Sequence, residues 1–350
     1  MKRLIALVAT VMLLSACGSS SAAGVATPSS SAPPSPSPTA TPTPTHPNYA
    51  GLFPRGTNIA YDSTRHVIVL FGGSGPGGPL GDTWTFDGNV WTQQHPAASP
   101  SQRLGAMLVD DPSMQAVLLF GGQDPSGNVL PDTWAWNGVT WTRLAPAKSP
   151  PPRYGGAITY DSVRHVVLMF GGSSEGAAVL DDTWTWNGTD WTQAPAAQSP
   201  PGRLYARMAV HEPSGKVVLF GGFERLNDTW TWDGTTWTQE HPNNTPTAPA
   251  GEATPMPQQM VYDAETKLVV FLDPTPHSAL TADNTMDTWA WDGTDWKQLE
   301  PAHLPPPRDG FGLTYDSTRS LVVFAAGWPF GSADAGSTWG WNGSDWSSIG

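Results

Sequence analysis

The chain has one cysteine, Cys17, and few charges: only 13% of its 350 residues are Asp, Glu, Lys or Arg. A single thiol excludes an intramolecular disulfide and a multi-thiolate metal site. Cation-bearing side chains are scarcer than acids, 17 Lys and Arg against 30 Asp and Glu, for a net charge of −13. Loss of Lys2 and Arg3 with a cleaved leader would make it −15. The acids are scattered rather than massed, so no phosphate-backbone partner is expected, and nucleic acid is not an expected ligand. Long apolar runs are also missing. The run Leu4–Leu14 has eleven residues, too few to span a bilayer as a helix but suited to the core of a secretory signal. No stretch sustains helical periodicity.

What is present at the start is a processing signal. Met1, Lys2 and Arg3 precede the apolar run, which ends in Leu14-Ser15-Ala16-Cys17-Gly18. This resembles a bacterial lipobox, whose cysteine is lipidated and becomes the mature N-terminus. Cys17 is therefore the expected lipidation site, and the lipid is the expected membrane contact, with no transmembrane segment. Lipidation would leave no thiol for nucleophilic chemistry. Residues 18 to about 48 are almost wholly Ser, Ala, Pro, Thr and Gly, which cannot bury enough apolar area to fold. Extended at roughly 3.1 Å per residue, such a linker would reach roughly 90 Å. The expected organisation is a signal peptide over 1–16, a lipidated cysteine and disordered linker over 17–48, and a folded domain over 49–350. The protein is expected to be exported and anchored at the bacterial cell membrane or envelope.

The folded part repeats. Six copies carry a Trp-rich strand, an Asp-Gly or Asn-Gly turn and a second Trp, the third reading Asp182-Thr183-Trp184-Thr185-Trp186-Asn187-Gly188 through Trp191. In that copy Arg153–Asp161 reads as a first strand, and Val166–Phe170 as a second buried on both faces. Trp184 and Trp186 then alternate with Thr183 and Thr185, and Asn187-Gly188 predicts a type I′ hairpin. Four antiparallel strands per copy and six copies predict an all-β, six-bladed β-propeller.

The opening arginines (Arg55, Arg103, Arg153, Arg203, Arg308), the double glycines (Gly72-Gly73, Gly121-Gly122, Gly171-Gly172, Gly221-Gly222) and the paired aromatics Trp184 and Trp191 resemble the Kelch repeat. More broadly they resemble the propeller of the galactose oxidase-like superfamily, over residues 55 to 350. Blade five departs, with Phe271-Leu272-Asp273 and no opening arginine, and blade six carries Ala325-Ala326 in place of the glycines. Each copy runs from first to fourth strand with nothing left over, so closure is expected from packing of blades one and six. The copper chemistry of the superfamily's oxidases needs a cysteine-modified tyrosine, so neither that activity nor its cofactor is carried over, and no cofactor is expected.

The long, varied connections join second to third strands and blade to blade, and the face they form is the expected binding face. The arginines start their strands at that end. Arg55, Arg103, Arg153, Arg203 and Arg308 either ring the channel mouth and meet a carboxylate or sugar, or tie the Pro-rich linkers to their own blades. Seventeen of the eighteen tryptophans take blade positions, which suits core packing. Trp328 falls in the last long loop, outside the repeat on this reading, and either stacks on a sugar or partner or anchors its loop as an apolar side chain. Asp82, Asp132, Asp182, Asp228 and Asp287 lack the ligand density of a calcium loop and are read as local hydrogen-bond acceptors. The eight histidines are dispersed, and no catalytic or metal-ligand constellation is visible. The expected function is a non-enzymatic binding or scaffold protein for a surface protein or glycan. The alternative is a sugar-active isomerase or hydrolase at the channel mouth.

Overall fold

A computed structural model describes residues 59–75, 77–223, 226–246, 259–275, 285–329 and 337–350. Cys17, Arg55 and the leader and linker lie outside the described residues. Six four-stranded antiparallel sheets follow one another along the chain, and a short two-stranded sheet pairs Arg308–Asp309 with Trp328–Pro329. The fold is an all-β, six-bladed propeller. Blade three is representative, with strands Ala157–Asp161, Val166–Phe170, Thr183–Trp186 and Trp191–Ala194. The second strands are the most apolar and the most deeply buried: Val167, Leu168, Met169 and Phe170 are inaccessible to solvent. Each lies within its own sheet and packs on the blades to either side.

The core is divided into six clusters, each shared by two neighbouring blades. Met107, Leu118 and Phe120 of blade two pack with Met169, Trp186 and Trp191 of blade three. The same arrangement closes the circle. Ile59, Ile68, Leu70, Phe86 and Trp91 of blade one pack with Val323, Ala325 and Ala326 of blade six. Among the described residues no strand is exchanged between the first and last blades, whose sheets are Ile59–Asp62 through Trp91–Gln94 and Gly312–Asp316 through Trp346–Ser348.

The alternation of Trp and Thr in the third strand serves both faces. Trp184 and Trp186 pack toward blade two. Thr183 faces blade four and accepts a hydrogen bond from the Trp237 indole at 2.9 Å. Every blade repeats this contact. Trp141 donates to Thr83, Trp191 to Thr133, Trp296 to Thr229, Trp346 to Thr288 and Trp91 to Thr338, at 2.8–3.2 Å. Six equivalent buried bonds therefore stitch the ring.

The hairpins differ from the expected type I′ form. Trp186 pairs directly with Trp191, so the loop has four residues, and Asn187 is not among the residues with positive φ while Gly188 sits at φ +95°. The Asn187 side-chain oxygen instead accepts the N–H groups of Thr189 and Asp190, at 3.0 and 2.9 Å. A side chain that caps the turn in this way removes the need for a second left-handed residue.

Blade six also differs in alignment. Arg308 donates to the carbonyl of Ala326 as Arg153 does to Gly171, and Ala326 and Gly327 sit at φ +60° and +95°. The double-glycine position is thus Ala326-Gly327 rather than Ala325-Ala326, with an alanine held in the left-handed region.

Candidate functional site

The opening arginines have fixed partners inside the blades. Arg153 is inaccessible to solvent. Its guanidinium grips Asp182 with both terminal nitrogens, at 2.6 and 2.8 Å, and donates to the carbonyls of Gly171 and Pro151 at 3.0 and 3.2 Å. Arg103 makes the same fork with Asp132 and Arg203 with Asp228. The three aspartates also accept the indole N–H of the tryptophan two residues on, Trp134, Trp184 and Trp230. Burial pushes these carboxyls up, but the arginine hydrogen bonds and charge, with the indole, overcome it and leave all three below the usual range. In blade six Ser337 stands at the aspartate position and accepts from both Arg308 and Trp339, each at 2.8 Å. Arg308 also lies over the Phe324 ring at 5.1 Å. In Arg103, Arg153, Arg203 and Arg308, then, the geometry is that of ties within a blade.

Blade five, which lacks an opening arginine, draws one from its neighbour. Arg207 of blade four reaches Asp273 at 3.4 Å and lies 5.0 Å over the Phe271 ring. Burial outweighs this long contact and pushes the Asp273 carboxyl up to about 6.

Trp328 belongs to the repeat after all. Its backbone pairs with Asp309, as Gln123 pairs with Leu104 and Ser173 with Tyr154. The corrected position of the glycine pair in blade six explains this. The Trp328 side chain lies outside what is described. At the same end of the molecule the residue two beyond each arginine is left-handed: Gly105, Gly155 and Gly310 at φ +62° to +63°, and Tyr205 at φ +56°. Gly155 donates to the Gly105 carbonyl and Tyr205 to that of Gly155, at 2.8 and 2.7 Å, and Tyr154 and Tyr205 meet edge to face.

A cavity of about 340 Å³ lies among the first strands of the six blades. Each first strand is an outer member of its sheet, so one edge of its backbone is left for the channel. The lining begins at Ile59, Leu108, Ile158, Met208 and Leu313, and ends at Ser63, Ser162, Glu212 and Ser317 in the turns from first to second strand. The described lining thus reaches the short-turn end, opposite the long loops, and the mouth there is the one described. Gln259 crosses its inner part: the amide oxygen accepts the N–H of Ile59 and of Leu313, and the amide nitrogen donates to the Ile59 carbonyl, at 2.9–3.0 Å.

One position differs sharply between blades. The residue before the last in each first strand reads Tyr61, Asp110, Tyr160, Val210, Tyr262 and Tyr315, and all six line the cavity. The strand-ending aspartates beside them, such as Asp62, Asp161 and Asp316, are buried and accept N–H groups of their own turns. Asp110 has no such cradle. Its Oδ2 takes a long 3.4 Å bond from the Ser63 N–H, and its Oδ1 is buried without a hydrogen-bond partner. Burial pushes this carboxyl up to about 7, and the nearby charges of Asp62 and Asp111 add to the effect. Glu212, on blade four, accepts from the Ser162 hydroxyl at 2.6 Å. Nothing in the sequence pattern singled out Asp110. The one available signal was an acid where four other blades carry tyrosine. Among the described residues no three His, Cys, Asp or Glu side chains converge as metal ligands.

Four-stranded blades arranged in a ring, internal Arg–Asp ties and an axial cavity define a propeller of repeated blades. Residues 112–327 match the KLHDC2/KLHL20/DRC7 Kelch-repeats domain. The chain belongs to the Kelch-repeat family. A comparison with curated proteins finds no match.

Proposed function

We propose that this chain is a non-enzymatic, lipid-anchored binding protein that displays its propeller outside the cytoplasm to a surface protein or glycan. One observation carries the reading. Side chains that recur from blade to blade hold the frame together, as Arg153–Asp182 and Trp237–Thr183 do. Side chains that vary from blade to blade include one on the cavity wall, Asp110 among tyrosines, and one beside the arginine ties, Tyr205 among glycines. A rigid scaffold with such individual variation suits recognition, although a fold alone does not grant a function. The lipobox-like Leu14–Cys17 and the Pro-rich linker after it support export and anchoring.

Binding of the full chain to an array of glycans and cell-wall fragments tests the reading. Selective retention of one ligand class without turnover is expected. Conversion of a sugar, lost on Asp110→Asn, would replace this reading with the sugar-active enzyme, which the Asp110 and Glu212 carboxyls at one mouth favour. Metabolic labelling with a radioactive fatty acid, absent from a Cys17→Ala variant, tests the anchor.

A further inference from the structure

Among the described residues the lining of the axial cavity holds two carboxyl groups, Asp110 and Glu212, and four tyrosines, with no Lys, Arg or His. His66 and His165 stand behind it, at the hydroxyls of Tyr61 and Tyr160. A cavity of this character repels anions and gives a cation both a counter-charge and aromatic faces. Its volume, about 340 Å³, is at the low end for small-molecule sites, which run from about 300 to 1,000 Å³.

The two carboxyls differ in how well they are already served. Glu212 holds the Ser162 hydroxyl at 2.6 Å. Among the described residues Asp110 is served by Ser63, through a long 3.4 Å backbone contact and its hydroxyl, and Oδ1 has no partner. The arginines of the neighbouring turns do not compensate, because Arg65 and Arg164 face their own strand-ending acids, Asp62 and Asp161, at 2.9 and 2.8 Å. A largely buried carboxylate without a paired cation is costly in the free protein, and a cation arriving from the mouth would offset its charge. Beside it, Tyr160 offers a ring that is only partly buried.

We infer that the short-turn mouth of the axial cavity is a binding site for a primary ammonium group, held by the Asp110 carboxylate and flanked by the Tyr160 ring. The inference rests on the reading of this protein as a binding module but places the site at the end opposite the long loops. A linear amine and an amino sugar both present this chemistry.

Titration calorimetry of the full chain at pH 8 tests the site, with putrescine and glucosamine as probes and N-acetylglucosamine and glucuronate as neutral and anionic controls. Saturable binding of one or both amines is expected, weakened at least tenfold by Asp110→Asn and little changed by Tyr160→Phe, which keeps the ring. Binding of putrescine alone identifies a linear ligand, and preference for glucosamine a sugar. The inference is overturned if neither amine binds, if N-acetylglucosamine binds as tightly as glucosamine, or if Asp110→Asn binds as the parent does. Capture of a ligand on the glycan array that Asp110→Asn leaves intact would keep the binding reading and reject this site. The isosteric Asn variant should retain the near-UV circular dichroism of its tryptophans. If it does not, Asp110→Glu, which keeps the charge, must bind amines for the inference to stand.

Discussion

The indole of Trp91, in the first blade, donates a 2.9 Å hydrogen bond to the hydroxyl of Thr338, in the last. The two residues are 247 positions apart, and their contact has the same form as the five that join consecutive blades. Ring closure therefore uses the ordinary interface between blades. Within blade six the Gly350 carbonyl accepts the Thr338 N–H at 2.7 Å and holds that threonine in place.

Thr338→Val should remove the acceptor and leave the Trp91 indole N–H buried and unpaired. The expected loss is about 1–3 kcal/mol, read from urea unfolding. Thr183→Val, in the middle of the chain, should cost a similar amount. A much smaller loss at Thr338 would mean that the seam between first and last blades contributes little.

The Arg153–Asp182 tie should be far more sensitive. Arg153→Ala leaves the Asp182 carboxylate in a site built for its partner, and breaking such a pair costs about 3–5 kcal/mol when it is buried. Asp182 retains some exposure, so the lower end is expected. The ties also set the acid limit. Asp132, Asp182 and Asp228 lie below their unfolded values in the folded chain, so the unfolded state takes up their protons first. Their stabilisation is present above about pH 4 and lost as pH falls through the folded values. Acid unfolding followed by tryptophan fluorescence should show this slope, reduced in Asp182→Asn.

Asp110 has the opposite sign. Its folded value, about 7, lies above the unfolded one, so the folded state holds the extra proton between roughly pH 4 and 7. Its contribution favours folding at the acid end and is lost as pH rises through 7. Asp110→Asn, which stays neutral, should therefore melt above the parent protein at pH 8 and together with it near pH 4. Equal melting temperatures at both pH values would show that the carboxyl is not perturbed.

Ala326, at φ +60° and inaccessible to solvent, occupies a backbone position that Gly121, Gly171 and Gly221 fill in other blades. Ala326→Gly should relieve a left-handed conformation that costs an L-residue roughly 1–2 kcal/mol, partly offset by the entropy of glycine in the unfolded chain. A net gain of about 0.5–1 kcal/mol in thermal unfolding is expected. The reverse change, Gly171→Ala, should destabilise strongly, since its Cβ would stand 2.7 Å from the Arg203 carbonyl.

The blades were legible because each carries its own punctuation. Val166–Phe170 and the Thr183–Trp186 alternation mark strands within a few residues of where they lie. Less legible was anything that depends on a partner from another blade. Thr183 reads only as facing away from Trp184 and Trp186 until Trp237 is placed against it. The arginines allowed two readings until Asp132, Asp182 and Asp228, 25 to 29 residues further on, were seen within their forks. Trp328 looked like a loop residue because Ala326 disguised the glycine pair that sets the alignment.

Local sequence alone determined the number of blades, the order of strands and the turns between them, because apolar runs, period-two alternation and side-chain-capped glycine turns act over a few residues. The tertiary structure decided which polar groups are used up and which are left over. That depends on who stands opposite whom across a ring. Asp62 and Asp110 are the same kind of side chain, one residue apart in the strand pattern. One is enclosed by its own turn, and the other stands among tyrosines beside the axial cavity with little to hold it.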